Sequence, residues 1–128
     1  MTGSVESAIR KHTSPGQCLN TPDMRKSASF EIGRLDAEGM ILLIGKKKTP
    51  TRIPWTCLEG IPAFLRGKGW VVIGTVFYVW GRPGTLDGYL KKWITTGTAG
   101  WVAAVLKKTE IVEIDRNRPM SIRLKPGW

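Results

Sequence analysis

The chain has 128 residues, the length of one domain, or of one domain with an ordered arm. Hydrophobic residues make up 41% of it and six tryptophans add large apolar surfaces, enough for a core and an argument against wholesale disorder. Twenty Lys and Arg against ten Asp and Glu leave +10, which points to a polyanionic partner such as nucleic acid, unless the surplus only serves solubility.

No run of eighteen apolar residues is present, so the sequence predicts no membrane span and no membrane partner. The start, Met1-Thr2-Gly3-Ser4-Val5-Glu6, lacks the basic and apolar regions of a signal peptide, which reads as a cytoplasmic protein. Cys18 and Cys57 are separated by 38 intervening residues, each without a second Cys or a His nearby. They read as two reduced thiols rather than metal ligands, although a single disulfide stays open. No metal and no cofactor is expected.

Residues 1–28 read as a short helix over Val5–Lys11, stopped by Ser14-Pro15-Gly16, followed by an extended arm. Residues 29–128 read as a single globular α+β domain. In it Phe30 and Ile32 alternate with polar residues, Asp36–Gly39 form a turn, and Met40–Ile44 are a short apolar run. That is a hairpin whose second strand looks buried on both faces. Gly45–Arg52 reads as a basic loop. Thr56-x-x-Glu59 has capping-box spacing and predicts a helix over 56–66, kinked at Pro62.

Trp70–Ile73 reads as a strand, and Thr75–Trp80 as its continuation or partner. Thr85 then caps a helix over 85–93, with Leu86, Tyr89, Leu90 and Trp93 on one stripe. Thr98 caps a second helix to Lys108. A strand over 110–114, a turn over 115–119 and an alternating strand over 120–124 complete the chain.

This order of helix, turn, helix, strand, basic turn and strand resembles the winged helix-turn-helix fold over residues 50–125. The fold expected is therefore α+β, an N-terminal β-hairpin packed with a winged-helix-like C-terminal part. The stretch 70–84 is longer than the simplest winged helix requires. The resemblance implies that the helix at 98–108 faces the major groove. Its N-terminal end offers only Thr96, Thr98 and Gly100, and Lys107 and Lys108 at the far end suit phosphates better than base edges. The wing would carry Arg116, Asn117 and Arg118, which suit a narrow minor groove, although a solvated hairpin tip reads the same.

Lys46, Lys47 and Lys48, with Arg52 behind them, form the densest positive run. Residues 65–128 carry eleven basic and four acidic side chains, against nine and six in residues 1–64, so the charge surplus lies mainly in the winged part. The favoured function is a nucleic-acid-binding module, with duplex DNA held mainly through phosphates and RNA as a further partner, and a homodimer is compatible. One alternative is a reader of modified nucleic acid with an aromatic pocket at Trp55 and Trp80. Another is a protein–protein adaptor. Trp70, Trp93 and Trp101 fit core positions.

Catalysis finds little support. The only histidine, His12, lies in the N-terminal segment, Asp87 and Asp115 are isolated, and no P-loop, GxSxG or HExxH motif occurs. No catalytic residue is assigned, with a small nuclease as the remaining enzymatic reading.

Overall fold

The computed structural model describes residues 4–21, 29–44, 47–74, 84–94, 99–115 and 120–128. Helix α1 spans Ser4–His12 and strand β1 Cys18–Asn20. Strands β2 (Ser29–Leu35), β3 (Gly39–Ile44) and β4 (Thr49–Pro54) follow. Helices α2 (Trp55–Glu59) and α3 (Ile61–Leu65) precede strand β5 (Val71–Val72). Helices α4 (Leu86–Leu90) and α5 (Ala99–Lys108) lead to β6 (Val112–Asp115) and β7 (Ser121–Leu124). The fold is α+β, with an antiparallel sheet in the order β1-β2-β3-β4 and a second sheet in the order β5-β7-β6.

The expected hairpin is β2–β3, enlarged on both sides. Residues 49–54 were expected partly within a loop, yet they pair with β3 along its whole length. Pro50 and Pro54 are tolerated because β4 is an edge strand, where a missing N–H faces no partner. Strand β3 buries Met40 and Leu42, while Ile41, Leu43 and Ile44 are half-buried, so only one face enters the core. Gly39 starts this strand because a Cβ there would come within 2.4 Å of the Ile53 carbonyl oxygen.

Helix α1 is tied into the body of the molecule. Val5 and Ile9 are fully buried, each contributing about 1.5–3 kcal/mol on transfer from water. The segment beyond it is not simply extended, since β1 pairs with β2. The expected capping box at 56–59 is replaced by a longer reach. Glu59 accepts from the Val5 and Glu6 backbone N–H groups at 3.1 and 2.8 Å, so it closes the start of α1 instead of its own helix. Its carboxylate also faces the positive end of the helix dipole. Glu59→Gln is expected to lower stability by about 1 kcal/mol in chemical denaturation; an unchanged midpoint would mean that water serves these amides equally well.

The predicted kinked helix over 56–66 is two short helices separated at Gly60, with Pro62 in the first turn of α3, where its missing N–H is harmless. Tyr89 of α4 locks them together: its hydroxyl donates to the Cys57 carbonyl at 2.6 Å and its ring stacks on Phe64 at 4.9 Å. Burial pushes both the Tyr89 phenol and the Cys57 thiol up to about 12. Cys18 is exposed and Cys57 buried, and both are free thiols. Helix α4 is shorter than its stripe predicts. Thr85 caps it through a bond from the Gly88 N–H at 2.9 Å, but the helix ends at Leu90 and a turn carries Trp93 outward, 48% exposed. Trp93 is therefore not a core residue, whereas Leu86 and Leu90 are.

Helix α5 ends in a Schellman-type closure, with Ile111 N–H bonded to Leu106 O and Glu110 N–H to Lys107 O. Glu110 adopts φ 62° there, so Glu110 and Ile111 belong to the closure and β6 begins at Val112, later than the predicted start at 110. Strands β6 and β7 pair as expected, from Val112 opposite Leu124 to Asp115 opposite Ser121. One contiguous core links α1 and the first sheet to α5 and the second sheet. No helix among the described residues is long and apolar enough to cross a membrane.

Candidate nucleic-acid interface

The structure separates the basic residues singled out from the sequence into different environments. Arg52 on β4 is committed to the turn before β3: it donates to Asp36 Oδ2 at 2.8 Å and to Glu38 at 3.2 Å. Asp36 Oδ1 accepts from the Glu38 and Gly39 backbone N–H groups, each at 2.9 Å. These two amides, with Arg52 adding its charge, hold the Asp36 carboxyl below the usual carboxylate range. A depressed carboxyl adds stability above its unfolded pKa, and that share is lost as pH falls from about 4 through the lower folded value. Acid titration of the thermal midpoint should therefore be flatter below pH 4 in Asp36→Asn than in the wild type. Curves that run parallel would dismiss Asp36 as a source of the acid sensitivity.

Lys48 lies 3.5 Å from Glu31 and is exposed, as is Lys47 beside it on the β3–β4 connection. Lys46, Thr96, Thr98, Arg116, Asn117, Arg118 and Trp80 lie outside the described residues. Trp55 is only 6% exposed; its indole N–H donates to the Asp36 carbonyl at 2.7 Å, and the Arg10 guanidinium lies 5.3 Å from its ring. That ring fastens α1 and α2 to the Asp36 turn and has no open face on which to stack a nucleobase.

Helix α5 is apolar around most of its circumference, with Val102, Ala103, Val105 and Leu106 buried. Its least buried stripe consists of half-buried Gly100 and Trp101 and exposed Lys107 and Lys108, with Ala104 between them only 8% exposed. Trp101 packs against the core, and both lysines are exposed at the C-terminal end of the stripe. Next to them runs an open groove of about 560 Å³ lined by His12, Asn20, Ala104, Lys107, Lys108, Glu110 and Ile114. A second groove, of about 530 Å³, shares Lys107, Glu110 and Ile114 and continues to Trp70, Glu113 and Lys125.

His12, Asn20, Trp70 and Lys125 are thus additions that the sequence did not reveal. His12 and Asn20 come from elements far from α5 in the chain, and only the contact of β1 and α1 with α5 makes them neighbours. Trp70, expected at a core position, is 44% exposed instead: it precedes buried Val71 at the start of β5, and successive residues of an extended chain face opposite ways.

Among the described residues no cluster of three His, Cys, Asp or Glu side chains could hold a metal ion. Asp87 is buried with Lys91 at 3.1 Å, while Glu113 pairs with Arg123, which removes them as obvious acid–base candidates. Comparison with family models, with curated proteins and with solved structures finds no match to this chain.

Proposed function

We propose that this chain is a nucleic-acid-binding module that grips duplex DNA mainly through its phosphates, with a winged-helix-like C-terminal part. The observation that carries the reading is the C-terminal end of α5, where the outward stripe ends in exposed Lys107 and Lys108 beside an open groove. Two exposed ammonium groups with no base-reading Arg, Asn or Gln on that stripe favour phosphate contact over sequence readout. The sheet order β5-β7-β6, with α4 and α5 between β5 and β6, supports the winged arrangement. In it the β6–β7 connection that carries Arg116 and Arg118 would serve as the wing.

Fluorescence-anisotropy titration of duplex DNA at two salt concentrations tests the reading. Affinity should fall steeply with salt, and Arg116→Ala with Arg118→Ala should weaken A·T-rich duplexes more than G·C-rich ones. Failure of the wild type to bind duplex at low salt would refute it and move the adaptor reading ahead.

A further inference from the structure

The outer face of the second sheet carries a cross-strand ladder of Trp70, Arg123 and Glu113. Val71 pairs with Ile122, which sets Trp70 beside Arg123, and Glu113 is the partner of Arg123 on the other side. The Arg123 guanidinium lies 4.5 Å from the Trp70 ring centroid and donates to Glu113 Oε2 from Nε at 3.0 Å and Nη2 at 2.5 Å. Trp70 nevertheless remains 44% exposed. An indole this open is costly to leave in water. One held by a guanidinium that is itself anchored loses little side-chain freedom when something covers it.

The surroundings indicate what that something is. Trp70 shares its groove with Lys107 and Lys125, beside half-buried Ile114. Aromatic face and lysines together suit a stacked base with its phosphates on the cations, the usual arrangement for unpaired nucleic acid. Intact duplex offers no such base face, because each base is already stacked between its neighbours. An acidic peptide could use the lysines, but its carboxylates would gain nothing from the indole; Glu110 and Glu113 in the same groove repel either polyanion, so the exposed ring is what favours the nucleic acid. The groove then continues past Lys107 to Lys108, His12 and Asn20, where further nucleotides would find a cation and hydrogen-bonding side chains.

We infer that this continuous trough binds single-stranded nucleic acid, with an unpaired base stacked on Trp70 and its phosphates on Lys107 and Lys125. The inference shares with the proposed function the nucleic-acid partner, but it does not depend on duplex binding.

The test uses the full chain and three probes of equal length, a labelled oligothymidylate, an oligouridylate and a duplex. Trp70→Leu keeps apolar bulk but removes the π face, and Trp70→Phe keeps both. Each variant is first checked by thermal unfolding against the wild type. Trp70→Leu should weaken single-strand binding about tenfold, Trp70→Phe should retain most of it, and duplex affinity should stay within about twofold. The two single-stranded probes separate DNA from RNA as the preferred source of the strand.

If Leu serves as well as Phe, or if duplex binding falls in equal proportion, stacking at Trp70 is wrong. Displacement of the strand by polyglutamate equally from wild type and Trp70→Leu would overturn it in favour of an acidic partner. Duplex binding together with Trp70-independent strand binding sinks this inference alone. Trp70-dependent strand binding without duplex binding sinks the duplex reading alone. No binding of either kind ends both.

Discussion

Leu90→Ala should lower the unfolding free energy by about 2–5 kcal/mol, read as a shift in the urea midpoint at constant slope. Leu90 is 1% exposed on the inner face of α4 and belongs to the core that joins both sheets. Removing its isobutyl group forfeits the transfer energy and leaves a cavity that the neighbouring helices cannot fully close. Trp93 is the matched comparison. It belongs to the same sequence stripe but is 48% exposed. Trp93→Ala should therefore cost clearly less than Leu90→Ala, although it deletes many more atoms. Equal losses would mean that α4 continues through Trp93 and buries it.

Replacing Lys107 and Lys108 together by Ala should weaken duplex DNA binding about tenfold at low salt and flatten the salt slope by about two units, one for each phosphate contact. The loss should be similar for unrelated sequences, because phosphate contacts carry no base information. Part of any stability change belongs to the C-terminal end of α5, where two cations face the helix dipole, so folding is measured in parallel. Arg52→Ala supplies the contrast. Its guanidinium is held by Asp36 and Glu38, so its removal should lower stability and leave the salt slope nearly unchanged. A larger slope change from Arg52 than from the lysine pair would move the interface to the first sheet.

Local signals read correctly wherever a short segment settles its own structure. The Asp36–Gly39 turn and the Thr85 cap each depend on residues close in sequence. Local signals mislead where distant groups compete. Glu59 has ideal spacing to cap its own helix, yet the first N–H groups of α1, more than fifty residues away, take its carboxylate. Pro50 and Pro54 argue against a strand until β4 proves to be an edge. Trp93 follows the periodicity of a helix that has already ended.

The candidate interface divides in the same way. Composition alone established a basic protein with a surplus of charge in its second half, and periodicity alone established an α+β chain with an apolar α5 ending in two lysines. Neither could tell that Arg52 and Lys48 are drawn into ion pairs within the first sheet. Nor could they bring His12 and Asn20 to the end of α5, or hold Trp70 outward on Arg123. The physical reason is that charge, period and capping are properties of neighbours along the chain, whereas pairing and exposure depend on which surfaces meet. The sequence by itself determined the elements set by near neighbours and how much charge the chain carries; only tertiary packing added β1 and β4 and decided which charges and rings remain open to a partner.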